Sequence, residues 1–199
     1  MDRFPALPLM MIAHPPSTDN TSYLTGGLTT CQVGCWHFAG DYNLAMQSTP
    51  VTRALDALGV THQLHVHAVP VHSLEQAARD RGLEPGQIVR SLIFRIEDGS
   101  FVMVLVAGPA KVSWPKLRRH LRVSRLTTAT PAEVLQVTGY APGAVSPYGL
   151  PRPLRVLADQ SLLAHPTLSL GAAIPNAGVI LAREDLLRTL SPEVGDFTA

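Results

Sequence analysis

The sequence predicts an α+β (mixed α/β) fold: a curved, largely antiparallel mixed sheet with helices around it. Three observations carry this. Helical and strand-like segments follow one another irregularly, without the strand–helix–strand repeat of a parallel sheet. Two apolar segments, residues 88–96 (IVRSLIFRI) and 101–106 (FVMVLV), meet at Asp98-Gly99, a hairpin signal. Hydrophobic residues make up 46% of the 199 residues, ample for a packed core in one domain plus an appendage.

The elements can be justified in order. Ser48-Thr49-Pro50 opens a helix, because a hydroxyl N-cap is followed by proline at the first helical position. Val51, Ala54, Leu55 and Leu58 recur at helical spacing and Gly59 closes it. Residues 62–69 alternate, Leu64, Val66 and Ala68 on one side and His65 and His67 on the other, which predicts a half-buried strand. Ser73 caps a second helix containing Leu74, Ala77 and Ala78, ended by Gly82, and Pro85-Gly86 turns the chain into the hairpin. The second hairpin strand is apolar throughout and is expected to be central. Trp114, Leu117 and Leu121 form the buried stripe of a helix capped by Ser113. Thr130-Pro131-Ala132-Glu133 is a capping box opening a short helix that ends at Gly139. Residues 154–157, 168–170 and 179–181 read as strands, Asp159 and Ser161 begin a turn, and residues 184–190 form a last helix.

Residues 1–45 differ in kind: one basic residue, no lysine, scattered turn formers and no clear period. They read as a poorly ordered extension, and Met46 as the start of the functional domain, 46–199. Cys31 and Cys35 frame no disulfide scaffold, so an intracellular, cytoplasmic protein is expected. With His37 they supply too few ligands for a closed metal site, and no metal is expected there or at His62, His65, His67 and His72. No apolar run approaches the roughly 20 residues that span a membrane.

Two stretches carry the functional signal. Residues 138–151 (TGYAPGAVSPYGLP) concentrate Gly139, Pro142, Gly143, Pro147, Gly149 and Pro151, with apolar residues and no charge between them. Such a stretch either walls a small pocket or merely turns corners. Residues 111–125 carry Lys111, Lys116, Arg118, Arg119, Arg122 and Arg125 and no acid: an electropositive face suited to phosphate, or a solvated helix surface. Arg90 and Ser91 open the first hairpin strand, and on general exposure Arg90 reads as a solvated edge residue. No GxSxG elbow, P-loop, GxGxxG, HExxH or CxxC is present. Ser146, without an adjacent base, reads as a turn serine.

Residues 49–190 resemble the YbaK/ProX family of aminoacyl-tRNA deacylases, related to the editing domain of prolyl-tRNA synthetases. TPVTRALDALGV is similar to its first helix, LHVHAV to its first strand, and IVRSLIFR to its strand with a Lys-Thr or Lys-Ser pair. TGYAPGAVSPYGL resembles its glycine loop, and LRVLADQSLLAHPTLSLGA its segment with an Asp and a Ser-x-Gly turn. The resemblance implies hydrolysis of the ester joining a wrong amino acid to tRNA, without cofactor, metal or covalent intermediate, with Cys-tRNA or Ala-tRNA of the proline type as substrates. It implies catalytic roles for Arg90, Gly139, Gly143, Ser146 and Asp159. Substrate-binding roles fall on His67, Ser91, Pro142, Pro147, Gly149, Ser169 and Gly171. Lys116, Arg118, Arg119 and Arg122 would face tRNA. The implied partners are the 3′ end of aminoacyl-tRNA and prolyl-tRNA synthetase, not a membrane. Two positions depart from the family. Arg90 stands for its lysine, a bulkier, planar cation that cannot lose its proton, and His67 for its tyrosine. The alternative to a hydrolase is therefore a tRNA- or aminoacyl-binding module of the same fold. A protein that has kept only the fold is a third reading.

Overall fold

The computed structural model describes residues 48–199. The extension, Cys31, Cys35, His37 and Met46 lie outside the described residues. Helix α1 (Pro50–Ala57) opens with Thr49 and Thr52 capping each other reciprocally and buries Val51 and Leu55. Strand β1 (His62–Val66) leads to α2 (Leu74–Asp80), whose N-cap Ser73 accepts a bond from the Gln76 amide. A 3₁₀ turn at Pro85–Gln87 precedes the hairpin of β2 (Val89–Ile96) and β3 (Phe101–Ala107). Then come α3 (Trp114–Leu121), β4 (Leu126–Thr128), α4 (Pro131–Thr138) and β5 (Arg155–Asp159). A second 3₁₀ turn (Gln160–Ala164), β6 (Thr167–Gly171), β7 (Ala177–Ala182), α5 (Arg183–Leu190) and β8 (Glu193–Gly195) complete the domain.

The expected mixed, largely antiparallel sheet is present as two sheets. One has the order β4-β2-β3-β5-β8, with β3–β5 and β5–β8 parallel; the other is β1-β7-β6, wholly antiparallel. A parallel bridge between Ile88 and Ser169 joins them at the start of β2. Strand β3 is central and buried on both faces. Met103, Leu105 and Ala107 pack in a core with α1, β6 and β7, while Val102, Val104 and Val106 pack against Leu117, Leu121 and Phe197. A strand covered on both sides has no polar face, which is why β3 reads as a continuous apolar run.

Three expectations are corrected. The alternation of residues 62–69 fails beyond Val66, where the chain leaves the sheet: Val66 is exposed and His67 is buried, its amide bonded to the Asn176 carbonyl at 2.8 Å. Trp114 is half-exposed rather than in the buried stripe and meets Phe94 edge-on with centroids 5.4 Å apart. Ser113 occupies the N-cap of α3 without a side-chain cap bond. Its amide is instead donated to the Phe197 carbonyl at 2.7 Å. Strands β4 and β8 are three residues each, too short for any period to reveal.

Candidate active site

The glycine- and proline-rich loop after α4 is a pinned wall. Tyr140 is buried and its hydroxyl lies 2.9 Å from the Tyr148 carbonyl and 2.6 Å from that of Gly149, closing the loop on itself. The Tyr148 hydroxyl reaches Thr189 Oγ1 of α5 at 2.8 Å. Gly149 sits at φ +68°, and a Cβ there would stand 2.6 Å from the Pro50 carbonyl oxygen, so only glycine fits between the loop and α1. The other side is held by β6. A Cβ on Gly171 would stand 2.5 Å from the Val145 carbonyl oxygen, and the Ala173 amide bonds the Ala144 carbonyl at 3.0 Å.

The wall faces a cavity of about 530 Å³. Pro142, Gly143 and Val145 line it from the loop, Arg90 and Ser91 from β2, Ala77 from α2 and Arg81 from the C-cap of that helix. Gly171 at the end of β6, Asn176 in the turn and Ala177 at the start of β7 line it as well, as does His67 from the segment after β1. Asn176 holds that side together: its carbonyl takes the His67 amide and its Oδ1 the Val71 amide at 3.2 Å. The cavity owes its opening to strand pairing. Strand β4 pairs with β2 only at Phe94–Ile96, and the bridge to β6 is at Ile88. Residues 88, 90, 92, 94 and 96 of β2 bond across to β3, as the Gly108 amide to the Ile88 carbonyl shows at one end and the Ile96 amide to Ser100 at the other. By strand alternation the backbone groups of Ser91 point to the uncovered edge.

Cations and neutral donors surround this space, and among the described residues no Asp or Glu lines it. Arg81 donates from Nε to His67 Nε2 at 3.1 Å and from Nη1 to Ser169 Oγ at 2.8 Å. Since His67 Nε2 accepts, the imidazole proton is on Nδ1, which lies 3.1 Å from Asp80 Oδ2. Burial pushes the Arg81 guanidinium below its usual range, with Asp80 opposing. Burial does the same to Arg90, whose Nη2 donates to the Ala110 carbonyl. His65, whose ring meets His67 edge-on at 4.7 Å, is lowered by burial and then by His67 and Arg81. Arg90 Nε and Ser91 Oγ are buried with no hydrogen-bond partner among the described residues. Such groups await a ligand or water. Among the described residues no three of His, Cys, Asp and Glu are placed to share a metal ion.

A family model described as an aminoacyl-tRNA editing domain matches residues 68–189. The chain belongs to that family. The editing domain is 30% identical over 130 residues to the proline–tRNA ligase of Bacillus licheniformis, covering 65% of this chain and 23% of the ligase. It is 32% identical over 140 residues to that of Limosilactobacillus fermentum, covering 67% and 24%. The chain thus spans about a quarter of the curated relatives it matches. A crystal structure of a protein described as a candidate trans-editing enzyme for prolyl tRNA synthetase superposes with a TM-score of 0.70 at 31% identity. It covers 75% of this chain and 95% of that one.

Of the residues singled out in the sequence, the editing domain brings His67, Arg90, Ser91, Pro142, Gly143 and Gly171 to the cavity. Ser169 stands one bond behind, accepting from Arg81. Gly139, Ser146, Pro147 and Gly149 belong to the loop but do not line the space. Ser146 Oγ is fully buried and takes only a long bond from the Tyr148 amide, at 3.4 Å. Asp159 is not brought to the cavity: fully buried, it accepts from the Ser161 amide at 2.9 Å and the Phe197 amide at 2.7 Å. Arg90 is not a solvated edge residue but part of the wall.

The uninterrupted basic face of α3 also needs correction, because acids from the C-terminal segment meet it. Lys116 Nζ pairs with Asp196 at 2.9 Å and His120 with Glu193 at 3.1 Å. Arg118, Arg119 and Arg122 form no ion pair among the described residues and keep the charge. Sequence reasoning missed Arg81 and Asn176. Arg81 was findable, since it falls four residues after Ala77 on the buried side of α2, a charge where the helical period demands an apolar residue. Asn176 carries no such signal; only its φ of +55° marks it.

Proposed function

We propose that the chain is a trans-acting editing hydrolase that deacylates misacylated tRNA, with Cys-tRNA or Ala-tRNA of the proline type as substrate. The observation that carries this is the juxtaposition of the pinned Gly143 loop with the uncovered edge of β2 at Ser91. Together they offer backbone groups and one hydroxyl to an ester, without a nucleophile that needs a neighbouring base. Water adds to the ester carbonyl. The bond from that carbon to the ribose oxygen breaks, the oxygen takes the proton, and free amino acid and tRNA leave. Donors held around the ester stabilise the charge that develops on its carbonyl oxygen. In this reading Ser91 orients the ester or its water, and Arg90 binds the terminal phosphate through its planar fork. A small acyl group suits an error that a synthetase cannot reject by binding alone. The working domain runs over 46–199, with residues 1–45 an extension of it.

A specific observation favours the binding-module alternative. Arg90, which stands where the resemblance implies a lysine, is drawn to the Ala110 carbonyl. The deciding experiment is a deacylation assay of the full chain against tRNAs charged with Ala, Cys, Ser and Pro, with Gly143→Leu as control. Selective hydrolysis lost in the control is expected. Binding of tRNA without hydrolysis of any member rejects the hydrolase, and recovery of activity in Arg90→Lys would then trace the loss to that residue.

A further inference from the structure

Arg81, the residue that ends α2, is a cation with no direct ion pair among the described residues, at the wall it shares with β6 and β7. Its two hydrogen bonds go to uncharged acceptors, His67 Nε2 and Ser169 Oγ, both in buried residues. Its other terminal nitrogen, Nη2, has no hydrogen-bond partner among the described residues. The nearest acid in sequence, Asp80, is turned to His67. Gly178 of β7 leaves the space in which the guanidinium lies, since a Cβ there would overlap it. Arg90 Nε and Ser91 Oγ, both unpartnered, line the same cavity. A desolvated guanidinium is costly unless a negative group meets it. Here the fold fixes its orientation through His67 and Ser169, and the carboxylate that acts on it, that of Asp80, stands behind His67 without pairing with it directly.

We propose that this wall is an oxyanion subsite, with Arg81 as its charge-bearing residue and a carboxylate or phosphate of the ligand as the missing partner. A guanidinium presents parallel donors that match either group. His67 is a positioning residue: its Nδ1 proton, held by Asp80, keeps Nε2 free to accept from Arg81. Only the choice of ligand rests on the editing reading. A phosphate is that of the 3′-terminal nucleotide, which Arg81 would then share with Arg90 across the same cavity; a carboxylate comes from an acidic side chain on the acyl group.

Calorimetric titration of the full chain with two matched pairs separates these sources. One pair is AMP and adenosine. The other is the L-aspartyl and L-asparaginyl amides of 3′-amino-3′-deoxyadenosine, which cannot be hydrolysed as esters. In at least one pair the anionic member is expected to bind about tenfold tighter or more, the scale of a charge-assisted contact. The responding pair names the source. Arg81→Gln is expected to erase the difference. Arg81→Lys, which keeps the charge but loses the fork, reduces it and serves if the neutral variant does not fold. Equal binding within both pairs, or a preference unchanged in these variants, overturns the subsite. Binding is read without hydrolysis, so a failed deacylation assay beside a surviving anionic preference rejects the editing reading alone.

Discussion

Asp159 shows how a residue's chemistry and its place can part company. A carboxylate that follows a strand and precedes a Ser-x-Gly turn invites a catalytic role, yet both of its oxygens hold backbone amides, those of Ser161 and Phe197. Asp159→Asn replaces one charge-assisted acceptor with a donor facing a donor. It is expected to cost about 2–3 kcal/mol of stability in denaturant unfolding and to leave the rate per folded molecule unchanged. A rate loss larger than the loss of folded protein would return Asp159 to the chemistry. Of the site, the glycine loop was legible in the sequence, because glycine and proline at that density are an anomaly that can be seen locally; Arg90 and Ser91 were reached only through the family resemblance, the charge at the strand start by itself reading as a solvated edge. The sequence did not reveal which oxygen faces which amide, since Asp159 and Phe197 meet only through the fold. Arg81 lies between these cases: the helical period could have marked it but sequence reasoning missed it, and its partners His67 and Ser169 come from two other elements.

Among the elements, β8 ties β5 and α3 together through one side chain. Glu193 takes two bonds from Arg155, at 2.7 and 2.8 Å, and one contact from His120 at 3.1 Å. The Arg155 guanidinium, followed by His120, holds its carboxyl down to about 2 from 4.5. A depressed carboxylate stabilises the fold above its unfolded value, and the effect disappears as pH falls from about 4.5 to about 2. Because the side chain is nearly half exposed, the contribution is at most about 1 kcal/mol. The stability difference between the native chain and Glu193→Gln should therefore be present at neutral pH and vanish by about pH 2. A difference that persists unchanged at low pH would show that the ion pair contributes nothing. Strand β8 was illegible because three residues give no period; α1, α4 and the β2–β3 hairpin were legible because caps and turn residues announce their ends.

Across the whole molecule the charge is nearly balanced, at +1, but unevenly placed. Acids of the C-terminal segment meet Lys116 and His120, whereas Arg118, Arg119 and Arg122 form no ion pair among the described residues and stay available to a polyanion. Reversing those three to Glu is expected to weaken tRNA binding and to lower the slope of log affinity against log salt by about 0.7–0.9 per lost phosphate contact. An unchanged slope would remove α3 from the tRNA path. The same variant should still bind the small adenosine ligands, since none of the three residues lines the cavity.

The pairing of β1 with β7 sets an order of assembly. β1 precedes the hairpin, but its partner is formed only after β6, near the end of the chain. Ser169 and Gly178, which seat the Arg81 guanidinium, arrive with those same late strands. A nascent chain that has completed the β2–β3 hairpin therefore carries Arg81 with nowhere to hold it. Long-range closures of this kind form slowly. In refolding, ligand binding should consequently lag the burial of β3, so that competence to recognise the ligand is acquired last.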